Sequence, residues 1–295
     1  MIKDVTPDMV PEVPTNHPLK DSLRAGIFFL LETDTKTLFM LLGLFVTNYV
    51  IWGNAVRLHA LLFLVLSDGE FARTLLQFIL SLMTGLSFLP LIVFTMRRAI
   101  LNEIEASYFS YFLLSPLWRL YLIRWVFILF IVAPMILLAI VLILSFDTGF
   151  TTLEPLSGPY NYFVLLPVAL FLVCAVFARF LLVFVHVPIK NRLELWPVFF
   201  LSKGHGFTIA LSTFISVVPL LFFIFVSSYF LAPSQGGIIA EIESGHALTW
   251  SLLITAVGAL SFLPSATLAH LYKIIVTLRK EILRKENVPF TEKAK

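Results

Sequence analysis

Long apolar runs separated by short polar segments dominate the pattern of this sequence. Six of the runs are each long enough to cross a bilayer core of about 30 Å as a helix that rises 1.5 Å per residue. They lie at 37–57, 74–96, 120–144, 162–187, 208–231 and 249–272. The pattern predicts an all-α integral membrane protein with six transmembrane helices in one membrane domain, residues 21–278.

Both ends of the chain lack such runs. Residues 1–20 carry four prolines and three acidic residues without an apolar core, so they predict a disordered cytoplasmic tail rather than a cleavable signal peptide. Residues 279–295 are rich in Lys and Arg and are predicted to form a basic cytoplasmic tail.

The basic residues alternate between the connections. If both termini lie inside, nearly all of the 21 Lys and Arg residues fall in the tails and inner connections. Only Arg57 and Arg73 then fall outside, and Arg179 falls within a span. Positive residues concentrate on the cytoplasmic side of membrane proteins. The distribution predicts a multi-pass protein of the inner cell membrane with both termini in the cytoplasm.

Composition agrees with this class, since 59% of the residues are hydrophobic and 13% are charged, whereas a soluble domain carries about 25% charged residues. The net charge of +3 is small and follows the predicted topology, so nucleic acid is not an expected partner. The single cysteine, Cys174, excludes a disulfide within one chain and a multi-cysteine metal site.

Two short motifs recur along the chain. Ser-Phe-Leu-Pro at 87–90 returns at 261–264, and Phe-Leu-Leu-Ser at 112–115 returns as Phe-Phe-Leu-Ser at 199–202, at half that offset. A similar apolar stretch at 27–31 precedes the first span. We interpret the pattern as three repeats of an interfacial amphipathic helix followed by a two-helix hairpin. Chance matches in a chain rich in Phe and Leu are the alternative.

The interfacial helices are too short to span, so we expect them to lie in the headgroup plane. The first has Asp21 and Ser22 as candidate caps, and the third begins near Glu194 with Trp196 as an anchor and Pro197 in its first turn. The apolar stripes are Leu23, Ile27, Leu30 and Leu31 in the first copy and Ile100, Ile104, Tyr108 and Phe112 in the second.

No complete catalytic or cofactor motif occurs in the sequence. Residues 68–73 match the D-G-x-x-A-R opening of the CDP-alcohol phosphotransferase signature, but the further aspartates that would hold a divalent metal are missing before Asp147. His186, His205 and His270 lack the spacing of a helical metal site, so we expect solvated rings at the membrane interface. The chain is therefore expected to be no enzyme and to bind neither metal nor cofactor.

Arg179 is predicted to lie inside the fourth span, about 12 Å from its inner end by helical rise. A central Arg costs roughly 2.5–3.5 kcal/mol on insertion scales, and snorkelling reduces that cost. Arg179 is expected either to snorkel or bond internally, or to contact a lipid phosphate or a substrate. Candidate internal partners are Thr47, Asn48, Asn54 and Thr255.

A basic amphipathic helix is predicted after the sixth span, because an apolar stripe continues opposite basic residues. Near an anionic leaflet each basic residue contributes about 1 kcal/mol, so anionic lipid is the expected partner and a soluble protein is the alternative. The candidate lipid or substrate contacts are Arg124, Arg179, Arg279, Lys280, Arg284 and Lys285.

Features within the spans predict how the helices pack. Glycines on either side of His205 predict a flexible link before the fifth span. Small residues four apart predict close helix contacts at Ser81 with Gly85 and at Thr255 with Ala259. Four prolines favour kinks that serve either static packing or a hinge, namely Pro90, Pro134, Pro219 and Pro264.

Part of the sequence resembles the membrane domain fused to some bacterial glycerophosphodiester phosphodiesterases and its stand-alone relatives. The stretch from Arg179 to Gly204 is similar to that family's intramembrane Arg, loop, interfacial helix and L-T-R-G-like step. Residues 271–281 are similar to its L-Y-x-D-L-R-type ending, without the Asp. The resemblance implies a six-span inner-membrane protein with repeated hairpins. No phosphodiesterase domain is present, so that activity is not implied.

Residues 105–119 resemble a segment of ABC-2 type exporter permease subunits that runs from a Glu through a Gly-Thr pair to an L-L-x-T-P-L-x-R ending, although Ser107 and Tyr108 replace the Gly-Thr pair. The resemblance implies docking on an ABC ATPase through Glu105, Pro116 and Arg119. That ATPase would be a separate protein, because this chain has no phosphate-binding loop.

Two hypotheses follow. The first is a polytopic inner-membrane protein without its own catalytic site, which organises lipid or membrane-protein partners. The alternative is a permease subunit of an ABC-2 type exporter that transports its substrate with a separate ATPase.

Overall fold

Every regular element that the computed structural model describes is a helix. The described residues are 17–31, 34–66, 69–102, 108–113, 118–123, 175, 178–189, 195–230 and 247–285. The α-helices are α1 (Pro18–Leu31), α2 (Thr35–Gly53), α3 (Ala55–Leu66), α4 (Gly69–Ser87), α5 (Leu89–Leu101), α6 (Ala178–Ile189), α7 (Leu195–Leu201), α8 (Gly206–Phe230) and α9 (Ala247–Lys285). Tyr108–Leu113 is a 3₁₀-helix, and residues 118–123 are helical. The predicted all-α class is confirmed for this part of the chain.

Among the described residues, four helical stretches are long and apolar enough to cross a membrane, judged by length and composition. They are Thr35–Leu66, Gly69–Leu101, Gly206–Ile224 and Ala247–Ile282. These stretches overlap the first, second, fifth and sixth predicted spans and indicate a membrane-embedded protein. Nearly all of the third predicted span, 120–144, and most of the fourth, 162–187, lie outside the described residues.

Helix α9 is the centre of the described fold and contacts α1, α2, α5, α7 and α8. Small residues let its neighbours approach closely. A Cβ atom at Gly258 would collide with the Leu44 side chain of α2, and one at Gly26 of α1 would collide with Thr267 of α9. Small residues have this role in membrane proteins because lipid is as apolar as Leu, so helices associate through close packing.

The main buried core lies where α5 and α6 pack against the second half of α9. Helix α5 is buried along most of its length. A second, smaller cluster lies near the other end of α9, where the Trp52 and Trp250 rings stack with centroids 5.4 Å apart. The two ends of the bundle therefore differ in the size of their cores.

The second membrane-crossing stretch is broken between α4 and α5, at Phe88. Pro90 lies in the first turn of α5, where its missing N–H and its ring disfavour a continuous helix. The Ser87 carbonyl accepts a hydrogen bond from Tyr108 Oη at 2.5 Å, and Asn48 Nδ2 donates to Ser87 Oγ at 2.9 Å. Side chains thus occupy polar groups that the break leaves open.

The other prolines behave differently. Pro219 and Pro264 lie inside continuous helices, and Pro134 lies outside the described residues. The Ser-Phe-Leu-Pro motif therefore occupies a helix break at 87–90 and the interior of α9 at 261–264. The two copies of the motif adopt different structures.

A helix, α1, is present where the first interfacial helix is predicted, but its details differ from the expectation, and its place at the membrane surface stays a prediction. It begins at Pro18, so Asp21 and Ser22 lie inside it and do not precede it as caps. Its buried residues are Ser22 and Gly26, whereas Ile27 and Leu31 are exposed. Close packing of small residues on α9 explains this orientation, because an apolar stripe is compatible with lipid as well as with protein.

The other two segments predicted as interfacial helices differ, since one is not a single helix and the other is. The predicted stripe from Ile100 to Phe112 is not one helix, because α5 ends at Leu101 and the next residue, Asn102, adopts the left-handed conformation with φ 52°. The segment that follows packs as a 3₁₀-helix with Tyr108 and Tyr111 buried. The third helix, α7, begins at Leu195 with Pro197 in its first turn, as predicted.

Candidate functional site at the basic end of the bundle

One end of the bundle collects basic side chains from three parts of the chain. We call it the basic end and define it by Arg97 and Arg98 at the end of α5, Lys203 in the link before α8, and Lys273, Arg279 and Lys280 in α9. Contacts that join α5 to α6, α6 to α9 and α9 to α7 bring these elements together.

Arg97 and His186 form the buried part of the basic end. Arg97 is 3% exposed and donates from Nη1 to the Pro188 carbonyl at 2.8 Å. His186 is 1% exposed, and its Nδ1 lies 2.9 Å from Tyr272 Oη. The expected solvated ring of His186 is therefore wrong, because the packing of α6 against α9 encloses it. These bonds join α5, α6 and α9, which makes them structural contacts.

Asp34 and Arg98 form a salt bridge of 2.9 Å between the start of α2 and the end of α5. Asp34 also caps α2, since its carboxylate accepts from Thr37 N–H at 2.8 Å. Burial raises the pKa of Asp34, but the hydrogen bonds from Thr37 and the charge of Arg98 outweigh it, so the pKa is lowered overall. Arg98 also lies over the rings of Phe29 and Phe94.

Arg279 has a different environment from Arg98. Its guanidinium lies 4.1 Å from the centroid of the Phe200 ring, and its buried Nε has no hydrogen-bond partner among the described residues. Burial lowers the pKa of His205, and the nearby charge of Arg279 lowers it further. Arg279 is thus held by an aromatic ring beside a second basic group, without a described carboxylate to neutralise it.

The link between α7 and α8 brings Lys203 and His205 to this region. Gly204 has φ +87°, a conformation that favours glycine. Residues 202–204 form a turn before α8, and the predicted flexibility of this link stays a prediction. Helix α8 begins at Gly206, and its first backbone hydrogen bond runs from Ile209 N–H to His205 O. The amides of the first three residues of α8 have no acceptor within the helix.

The starts of α1 and α8 lie side by side. Ser22 Oγ of α1 is 3.4 Å from Ser212 Oγ of α8. An open pocket of about 510 Å³ lies between the two starts and is lined by His17, Pro18, Leu19, Lys20 and Thr208. The lining thus includes one permanently basic side chain, that of Lys20.

The predicted lipid-contact residues are distributed unevenly. Arg279 and Lys280 lie at the basic end, but Lys280 is only 8% exposed, so it is not on a solvated face. Arg284 and Lys285 are the last residues of α9. The predicted tail boundary at 278 therefore falls inside a continuous helix. Arg124 lies outside the described residues.

Arg179 is exposed on α6. Asn48 bonds to Ser87, Asn54 to the Val50 carbonyl and Thr255 to the Ser251 carbonyl. None of these three residues, nor Thr47, has a described hydrogen bond to Arg179. Thr47 Oγ1 and Asn48 Oδ1 are buried without a partner among the described residues, so the predicted internal bond from Arg179 to these side chains is not formed there.

The residues predicted to dock on an ATPase are only partly described. Arg119 is exposed in the helical stretch 118–123, and Glu105 and Pro116 lie outside the described residues. The Asp68 segment begins outside them as well. The predicted small-residue contact at Gly85 is not formed within the described chain, since a Cβ there would meet nothing within 4 Å.

Sequence reasoning missed three features at the basic end. They are the contacts of Asp34, the bond from Arg97 to Pro188 and the bond between His186 and Tyr272. The Asp34 cap has a local signal, because an Asp three residues before Thr37 at a helix start is a typical N-cap. The bonds from Arg97 to Pro188 and from His186 to Tyr272 have no such signal, because their partners are distant in the sequence.

In comparisons with protein-family models, curated proteins and solved structures, nothing matches this chain.

Proposed function

We propose that the chain is a six-span protein of the inner membrane that organises anionic lipids, and through them membrane-protein partners, around its basic end. In this proposal both termini and the basic end face the cytoplasm, and the chain has no catalytic site of its own. The proposal includes the two spans at 120–144 and 162–187 and the three-repeat arrangement expected from the sequence.

The environment of Arg279 is the observation that carries this proposal. The side chain is positioned on Phe200 beside His205, with a buried Nε that lacks a partner among the described residues. A positive charge kept in place without a counter-charge attracts an anion. At the cytoplasmic face of a membrane the most abundant anions are lipid headgroups, and each basic residue there contributes about 1 kcal/mol.

The packing around the basic end supports an organising role. Buried bonds fix α5 to α6 and α6 to α9, and a salt bridge fixes α5 to α2. A surface on which several helices are joined by specific bonds presents its charges at constant distances. Side chains whose spacing is already fixed lose less conformational freedom when they bind. Fixed distances between the basic side chains therefore favour the ordered binding of several headgroups.

The break at Phe88 favours the permease as a second candidate. Discontinuous membrane helices with exposed backbone groups form the substrate sites of many transporters. Here the break lies beside Asn48, which is fully buried and whose Oδ1 has no partner in the described chain. Under this alternative a separate ATPase would dock near Arg119.

Purification in native, detergent-free nanodiscs tests the proposal. We expect anionic lipids to be enriched around the wild-type chain relative to the bulk membrane, as measured by lipid mass spectrometry. The Lys203→Gln/Arg279→Gln variant should lose part of this enrichment. The Arg57→Gln/Arg73→Gln variant makes the same change in charge at the other end and should keep it.

Two results would count against the proposal. A lipid shell with the composition of the bulk membrane would contradict the lipid-organising role. Stoichiometric copurification of a nucleotide-binding ATPase would make the permease the better explanation, and substitution of Arg119 should then weaken the association with that ATPase.

A further inference from the structure

Basic groups from different elements meet around the start of α8. Lys203 and His205 belong to the link before α8, and Arg279 belongs to α9. Arg279 is close enough to His205 for the two groups to interact electrostatically. Phe200 of α7 stacks on the guanidinium at 4.1 Å, so the position of Arg279 is fixed by a neighbouring ring and not only by its own backbone.

This cluster has more hydrogen-bond donors than the described residues can satisfy. Arg279 Nε is buried without a partner among them, and Arg279 forms no described salt bridge. The amides of Gly206, Phe207 and Thr208 precede the first hydrogen bond of α8. Arg279 as a whole is half-buried, so a ligand that accepts hydrogen bonds can pair with those donors of the cluster that remain accessible.

The cluster also has room for a ligand. Among the described residues, no atom lies within 4 Å of the position that a Cβ would take at Gly204 or Gly206. The open pocket between the starts of α1 and α8 is a neighbouring space, lined by Thr208 of the first turn of α8 and by Lys20 of α1 but not by Lys203, His205 or Arg279.

We infer that Lys203, His205 and Arg279, together with the first turn of α8, form a binding site for a phosphate group. Phosphate supplies several acceptor oxygens and the negative charge that the cluster lacks. A guanidinium pairs with phosphate through two parallel hydrogen bonds, and the start of a helix adds amide donors and partial positive charge. A carboxylate has only two oxygens and so offers fewer acceptors than a phosphate to the donors of the link before α8, of α8 and of α9.

The phosphate could belong to a lipid headgroup or to a soluble molecule, because both present the same group. The start of the fifth predicted span, residue 208, lies at this site, so a headgroup at the membrane surface would reach it. The inference rests on the proposed function and adds the recognised group and its contacts to it.

Lipid and phosphate titrations of the purified full-length chain test the site. Native mass spectrometry of the protein in micelles measures the apparent affinity for phosphatidylglycerol, and thermal unfolding measures stabilisation by inorganic phosphate. Phosphatidylcholine is the zwitterionic control. We expect the Lys203→Gln/Arg279→Gln variant to bind phosphatidylglycerol more weakly by at least about tenfold, since the loss of even one of the two charge-assisted contacts has an effect of that size. The Arg57→Gln/Arg73→Gln variant should bind like the wild type.

The Arg279→Lys variant distinguishes a phosphate site of defined geometry from non-specific electrostatic attraction of anions. It keeps the charge but loses the planar fork and its stacking on Phe200. We expect its affinity for phosphatidylglycerol to fall as well. Wild-type affinity in this variant would overturn the site and leave only non-specific attraction. This substitution also provides a second test if the double variant does not fold.

The remaining outcomes distinguish the site from the proposed function. Equal phosphatidylglycerol affinity in the wild type and the Lys203→Gln/Arg279→Gln variant would overturn the site, whereas anionic-lipid enrichment in nanodiscs would still support the proposed function. Stabilisation by inorganic phosphate alone, lost in the double variant, would support the site and assign it to a soluble phosphate, against the lipid role. A wild-type chain that responds to neither probe would overturn both.

Discussion

Asp34 makes two contacts of different kinds at the start of α2. It caps the helix by accepting from Thr37 N–H, and it forms a salt bridge with Arg98 of α5. The first contact is local and follows from residue types three positions apart. The second joins residues far apart in the chain, so it depends on how α2 packs against α5.

Substitution of Asp34 should separate these two contacts. We expect Asp34→Ala to lower the free energy of unfolding by about 1–2 kcal/mol, since an N-cap contributes about 1 kcal/mol and a partly exposed ion pair less than that. Asp34→Asn should cost less, because Asn keeps the cap and loses only the ion pair. Reversible unfolding in mixed detergent micelles measures both values. Equal stability of Asp34→Ala and the wild type would contradict this assignment.

His205 is expected to make the stability of the fold depend on pH. Burial and the charge of Arg279 lower its pKa below the usual 6.5. The unfolded chain therefore binds more protons at this group as the pH falls below about 6.5, and protonation favours unfolding. We expect the wild type to lose more stability between pH 7 and pH 5 than the His205→Gln variant does.

The Arg279→Gln variant provides the control for this prediction. It removes one cause of the lowered pKa, so its stability should depend on pH less steeply than that of the wild type. Parallel curves for the wild type and His205→Gln, measured in micelles over this range, would show that another group causes the dependence.

Helix α1 illustrates how elements pack in this protein. Its buried residues are Ser22 and Gly26, and it contacts α9 where the Phe29 and Phe262 rings lie 6.0 Å apart. The larger apolar residues of the predicted stripe, such as Ile27 and Leu31, are exposed. A packing surface of small residues permits close approach, and this is what determines the position of α1.

Two glycines in helices provide a matched test of this packing. An added Cβ at Gly26 would collide with Thr267 and approach the Leu263 carbonyl, whereas one at Gly85 would meet nothing within 4 Å. We expect Gly26→Ala to destabilise the fold by about 1–3 kcal/mol. Gly85→Ala should be neutral or stabilise it by about 0.5–1 kcal/mol, because Ala has less freedom to lose on folding. Unfolding in micelles compares the two, and equal effects would contradict the close contact.

At the scale of the whole molecule, the two ends of the bundle differ in charge and in packing. The basic end combines the main core with Arg97, Arg98 and Arg279. The opposite end has the stacked Trp52 and Trp250 rings and the smaller core cluster. Trp residues are typical of membrane interfaces, and positive residues are typical of the cytoplasmic side. The asymmetry fits the proposed orientation.

Site-directed labelling tests that orientation. Single cysteines at Lys203 and Arg57, both exposed, would be introduced into a Cys174→Ala background. We expect a membrane-impermeant maleimide added to intact cells to label Arg57→Cys but not Lys203→Cys until the membrane is opened. Labelling of Lys203→Cys in intact cells would place the basic end outside and contradict the proposed topology.

The sequence by itself determined the all-α class of the described residues and where four membrane-crossing stretches lie. It also determined local features such as the start of α7. These features depend on hydropathy, on backbone hydrogen bonds between near neighbours and on residue types a few positions apart. Such properties are present in the chain before it folds, so they can be predicted from one sequence.

Only the tertiary structure decided which faces of the helices pack and which polar groups are buried. It placed the same Ser-Phe-Leu-Pro motif at a break in one helix and inside another, buried His186 and Lys280, and left Arg279 on Phe200 beside His205. In a membrane, apolar residues are stable against lipid and against protein alike, so hydrophobicity does not distinguish the two faces. Contacts between residues distant in the chain make that distinction.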